Sequence, residues 1–133
     1  MDVMRTGVSA LGSVLPEAGD HNPAGARDIV DRLMASLGSM LMYWYHFSHN
    51  GRRIEVEGDE RSIAEHLLRL LHGRKPSDSH IRALQTSLIL YAEHEFNAST
   101  FTARMIAGTG SDMYSAVTGA IGALRGPKHG GAN

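Results

Sequence analysis

Apolar residues in this sequence recur at spacings of three and four, and nowhere do they alternate with period two over a useful length. Ile29, Val30, Leu33, Met34, Leu37, Met40, Leu41 and Trp44 form one such series, with Arg27, Asp28, Asp31 and Arg32 falling opposite. A helix turns about 100° per residue, so this spacing gathers its apolar side chains on one face; a strand would need alternation. The chain is therefore expected to be all-α. No internal repeat is visible, and 133 residues with 42% apolar content match one ordinary domain with a core of its own.

Local signals divide the chain into helices. Asn22-Pro23 starts a long one, with proline where its missing N–H does no harm, and Gly51 ends it. Residues 51–60 are polar, hold two glycines and several charges, and are expected to be a loop. Ser62 and Glu65 have capping-box spacing; Ile63, Leu67, Leu68, Leu70 and Leu71 follow, and Gly73 supplies a left-handed stop. After Lys75-Pro76, Ser77 or Asp78 can cap a helix whose buried stripe is expected at Ile81, Leu84, Leu88 and Tyr91. Asn97, Ser99 and Thr100 open another after a sharp break. A further helix runs from near Ser111 to Gly126-Pro127. Inside it Gly119 and Gly122 cost about 1 kcal/mol each relative to alanine, which suggests close approach of a second helix along one face.

Composition excludes several classes. Thirteen basic against fourteen acidic residues leave a net charge of -1, so no overall field draws the chain to nucleic acid or to an anionic membrane. There is no cysteine, which rules out disulfides and thiolate chemistry and agrees with a reducing cytoplasm. No apolar run reaches the roughly 18 residues of a membrane span, and the N-terminus lacks a signal-peptide layout. A soluble, cytoplasmic protein is expected.

Two polar clusters stand at helix ends, residues 91–100 and 124–133, where side chains can face a cleft. Glycines around His129 let the backbone turn and a ligand come near the imidazole. Spacing alone does not separate this from a surface loop with an incidental histidine. His94-Glu95 begins like the zinc motif H-E-x-x-H, but Ala98 stands at the second ligand position, so no metal site is expected there. His66, His72 and His80 fit solvated or hydrogen-bonded side chains better than ligands. His46 and His49, among Tyr43, Trp44, Tyr45 and Phe47, fit a helix end with rings inward and polar tips outward. Gly108-Thr109-Gly110 lacks the preceding strand and the Gly-Lys-Ser/Thr ending of a phosphate loop, and is expected to link two helices.

Taken together, Met1 to Leu11 (MDVMRTGVSAL), LHGRKP at 71–76, EHEFNAST at 93–100 and GPKHGGAN at 126–133 resemble the citrate synthase family in motif, order and spacing. GTGSDMYS at 108–115, followed by GALRGPK at 122–128, is most similar to the bacterial 2-methylcitrate synthases within it. The resemblance implies a homodimeric acyltransferase that condenses propionyl-CoA, or acetyl-CoA, with oxaloacetate and then hydrolyses the thioester, with no metal or organic cofactor. It implies that His129 hydrogen-bonds the acyl-CoA carbonyl as the α-proton leaves, that His94 binds oxaloacetate, and that Asn97 and Ser99 shape that site, Ser99 orienting His129. Residues 1–133 would be part of the large helical domain, with the small CoA-binding domain beginning just after Asn133. The helices at Met1 and Ala98 would build the dimer interface. In the family the proton-abstracting aspartate, a second histidine and the carboxylate-binding arginines come after this point. Neither Asp78 nor Asp112 lies in a matching motif, so the 133 residues by themselves are expected to be inactive, a self-associating helical fragment.

Overall fold

The computed structural model describes residues 1–15 and 22–132, with the side chains of Pro23, Ala24 and Ala132 left aside. The described residues form six α-helices and no strand: α1 Asp2–Val14, α2 Pro23–Asn50, α3 Ile63–His72, α4 Asp78–Ala92, α5 Ala98–Ala107 and α6 Met113–Leu124, followed by a 3₁₀ turn at Gly130–Ala132. The all-α expectation holds. Residues 51–60 carry no regular structure.

The capping residues do what their chemistry suggests. Ser62 accepts the Glu65 N–H through its hydroxyl at 3.1 Å, which satisfies one of the unpaired donors of the first turn of α3. The returning arm of the capping box differs from the expected one: the Glu65 carboxylate accepts from the N–H of Arg61, one residue before the cap. Gly73 closes α3 at φ 67°, ψ 18°, where a side chain would be strained. Ser77, rather than Asp78, caps α4. Asn97 caps α5, and Asp112 caps α6 by accepting from Ser115.

The chain divides into two compact units, Met1–Met34 with Glu95–Asn133, and Ala35–His94. In the first unit α6 packs against both α5 and α1. Met4 and Val8 of α1 are buried, as are Tyr114 and Ala116 of α6. Gly12 continues the Met4–Val8 stripe by one more turn, because an added Cβ there would lie 2.6 Å from the Tyr114 Cβ. The expected close approach is present at Gly119 but not at Gly122, where an added Cβ would make only ordinary contact. A Cβ on Gly119 would press on Ile106 of α5, whereas Gly122 faces Arg5 of α1.

In the second unit α3 packs on α4, around a core that includes Met42, Ala64 and Leu70. Two expectations fail here. His46 is buried and donates through Nε2 to the Leu70 carbonyl at 2.9 Å, while Trp44, Tyr45 and Phe47 stay exposed. A ring nitrogen that reaches the unpaired carbonyls at the end of α3 outweighs the apolar preference of its neighbours for that position. The α4 stripe is not buried either: Ile81 and Leu84 are half-buried, while Leu88 and Tyr91 are exposed, Tyr91 at 77%. Packing on α3 leaves the later part of the α4 stripe exposed.

Candidate functional site

The break between α4 and α5 is built in four residues. Glu93 leaves α4 in an extended conformation, and Glu95 takes φ 52°, a left-handed value costly for a residue with a Cβ. Asn97 then begins α5. His94 sits within this turn. It is exposed and ends the second unit, while Asn97, Ser99 and His129 belong to the first.

Asn97 is fixed by its cap, its Oδ1 accepting the Thr100 N–H at 2.9 Å. Ser99 lies one residue into the first turn of α5, and its hydroxyl donates to the same Asn97 Oδ1 at 2.7 Å. The other partner of Ser99 comes from beyond α6: Nε2 of His129 lies 3.0 Å from Ser99 Oγ. Two motifs 30 residues apart therefore meet through a pair of part-buried side chains.

What carries His129 there is the turn after α6. Its N–H donates to the Gly126 carbonyl at 3.0 Å, and the Gly131 N–H reaches the same oxygen at 3.2 Å. Gly130 has an ordinary φ, so its role is steric. A Cβ there would strike the Leu124 carbonyl and lie 2.7 Å from Leu124 Cδ1, and glycine lets the turn lie flat on the end of α6. At this end Arg125 pairs with Asp2 of α1 at 3.2 Å, an exposed contact that adds little stability. Asn133, the last residue of the second cluster, lies outside the described residues.

Asp112 is occupied as a cap. Burial would raise its pKa, but hydrogen bonds from the Ser115 hydroxyl at 2.6 Å and the Ser115 N–H at 2.9 Å more than offset this and hold the carboxyl below its usual range. Such a group stays ionised and bound, unlike a base poised near neutrality. Gly108-Thr109-Gly110 forms the expected link, with Gly110 at φ 80°.

Sequence reasoning did not find the polar cluster of the second unit. His66 donates through Nδ1 to half-buried Glu60 at 2.7 Å and bonds Ser39 of α2 through Nε2 at 3.0 Å, while Arg69 pairs with the other Glu60 oxygen. The His66 hydrogen bond, working against desolvation and aided by Arg69, keeps the Glu60 carboxyl below its ordinary pKa. Both oxygens of that carboxylate are engaged in tying the loop to α3, and His66 extends the link to α2. Two cavities of about 250 and 300 Å³ also lie in this unit, and neither is lined by His94, Asn97, Ser99 or His129. No three His, Asp or Glu side chains are grouped as a metal site among the described residues. None of the described helices is long and apolar enough to cross a membrane.

The family model for the citrate synthase C-terminal domain matches residues 1–133. The chain belongs to the citrate synthase family. It is 59% identical to a 2-methylcitrate synthase of Shewanella oneidensis over 133 residues, all of this chain and 35% of the relative. It is 42% identical to citrate synthase 2 of Bacillus subtilis, again over its whole length and 36% of that protein. Its fold matches the ternary complex of carboxymethyl coenzyme A and oxaloacetate with Thermoplasma acidophilum citrate synthase at a TM-score of 0.78 and 32% identity, covering 97% of this chain and 33% of that one. This citrate-synthase-type chain thus spans about a third of the length of the relatives it matches.

Proposed function

We propose that these residues form part of the large helical domain and active site of a 2-methylcitrate synthase, which joins propionyl-CoA to oxaloacetate and releases 2-methylcitrate and CoA. The observation that carries this is the His129–Ser99 contact. It joins the histidine of the motif at 126–133 to the Asn97–Ser99 part of the motif at 93–100, within one unit, at 3.0 Å. In this reading His129 hydrogen-bonds the acyl carbonyl oxygen while negative charge builds on it, and a donor so placed contributes about 3 to 4 kcal/mol to lowering the barrier. His94 binds oxaloacetate, helped by the polar edge at Asn97 and Ser99. No metal or organic cofactor is assigned, and the proton-abstracting base is supplied by residues outside this chain. The small CoA-binding domain follows Asn133, and the enzyme works in the cytoplasm.

The 59% identity to a 2-methylcitrate synthase favours propionyl-CoA, and the 42% identity to a citrate synthase keeps acetyl-CoA as the second reading. Exposed Phe101 and Met105 on α5 favour assembly of two copies through that helix. The 133-residue chain alone lacks turnover and self-associates. A thiol-release assay with both acyl-CoAs tests the proposal in an enzyme of the relatives' length. His129→Ala lowers turnover about 10²- to 10³-fold with little change in oxaloacetate affinity, whereas His94→Ala weakens oxaloacetate binding as well. Near-normal turnover by His129→Ala, or robust turnover by the 133 residues alone, refutes it.

A further inference from the structure

We propose that the smaller of the two cavities in the Ala35–His94 unit binds a compact polyanion, one that carries two or more phosphate or carboxylate groups. The cavity, about 250 Å³, is lined both by the loop after α2 and by the turn between α3 and α4. Arg52 comes from the loop, and Arg74 and Lys75 come from the turn. Arg69 lines it as well, but its charge is matched by Glu60. Among the described residues the side chains of Arg52, Arg74 and Lys75 have neither an ion pair nor a hydrogen bond. Glu55 is the acid of the lining, and its Oε1 already accepts the Glu57 N–H at 3.1 Å.

Unpaired cations are ordinary on an open surface, where water solvates each one separately. These three share a concavity. Its walls focus the field of the charges that line it, so they oppose one another until a counter-charge enters. An anion that reaches both segments relieves this repulsion, and a guanidinium offers two parallel N–H donors to a pair of phosphate or carboxylate oxygens. One negative charge would leave most of the cationic excess standing, which is why a polyanion is required. Volume sets the upper limit. Small-molecule sites usually occupy about 300 to 1,000 Å³, so this cavity takes a compact ion and excludes a whole nucleotide. Neither His94 nor His129 lines it, and the inference does not depend on the roles given to them above.

The test is calorimetric titration of the enzyme of the relatives' length with pyrophosphate and, separately, with citrate. The two arms distinguish phosphate from carboxylate as the preferred chemistry. The wild type is expected to bind at least one of them. Arg52→Gln, from the loop, and the double change Arg74→Gln with Lys75→Gln, from the turn, each remove charged donors and should raise Kd about 10-fold or more. Arg82→Gln, which neutralises an exposed cation of α4 outside the cavity, should leave Kd unchanged. All four substituted side chains are exposed, so the fold is kept. KM for acyl-CoA and for oxaloacetate should be the same in every variant. No binding of either ion by the wild type overturns the proposal, as does binding that survives both cavity variants. Equal loss in Arg82→Gln would reduce it to general attraction to a basic surface. A rise in KM together with Kd would place the ion in the substrate site, and either result also refutes the proposal.

Discussion

Replacing Gly130 with alanine isolates one feature of the His129 turn, because the residue has an ordinary φ and the change adds a single methyl group. That Cβ would meet the Leu124 carbonyl closer than van der Waals contact permits, with Leu124 Cδ1 at 2.7 Å and Cγ at 2.9 Å. The Leu124 side chain can rotate aside. Its carbonyl belongs to the last turn of α6 and cannot, so the turn itself must lift. Overpacking of this kind costs about 1 to 3 kcal/mol, and backbone obstruction puts Gly130→Ala toward the upper end. The displacement falls one residue after His129, whose ring must stay within reach of Ser99. A shift of about 1 Å in a catalytic group can lower turnover about 10²-fold, so activity should fall further than stability alone explains. Gly131→Ala is the control, since its nearest contact is the Gly126 carbonyl at 3.2 Å, which small adjustments relieve. Thiol release and urea unfolding of both variants in an enzyme of the relatives' length provide the comparison. Gly130→Ala with wild-type turnover and stability, or Gly131→Ala as impaired as Gly130→Ala, would refute the steric argument.

Gly12→Ala should destabilise the α1–α6 contact by about 1 to 2 kcal/mol net, because overpacking against the Tyr114 Cβ at 2.6 Å exceeds the helix-propensity gain. Gly119→Ala should cost less, since the obstacle is the movable tip of Ile106; equal urea midpoints for the two variants would count against this. The lowered carboxyl pKa values of Glu60 and Asp112 give stability that is complete above their ordinary values of 4.5 and 3.8 and is lost as pH falls through the lowered ones. Acid titration of unfolding should accordingly be flatter in Glu60→Gln and in Asp112→Asn than in the wild type. An unchanged acid limb in both would remove the assigned cause.

Much of the fold was legible because it depends on neighbours along the chain. Ser62, Asn97 and Gly73 announce helix ends through chemistry that acts within four residues, and each sits where that chemistry predicts. The long α2 followed from its apolar period for the same reason. What the pattern could not show was which apolar face acquires a cover. The Ile81–Tyr91 series has helical spacing, yet Leu88 and Tyr91 stay exposed, and spacing carries no information about a neighbour's presence. His46 reversed its expected direction because a carbonyl 24 residues away needed a donor. The His129 and His94 motifs were recognisable from family resemblance; that Ser99 bonds Asn97 as well as His129 required coordinates.

The Ser99–His129 pair also bears on how the molecule comes together. Its partners are separated by only 30 residues, joined by consecutive helices, so little chain entropy opposes their meeting. Contacts of this local kind generally form fast. The seat of α1 on α6 is different in kind: Gly12 and Tyr114 meet across about a hundred residues, and the closure penalty grows with the logarithm of that length. The residues proposed for chemistry thus assemble from one continuous stretch near the end of this sequence, independent of the long return that brings its beginning home. A ribosome that has just emitted the turn at His129 has already supplied everything this pair requires.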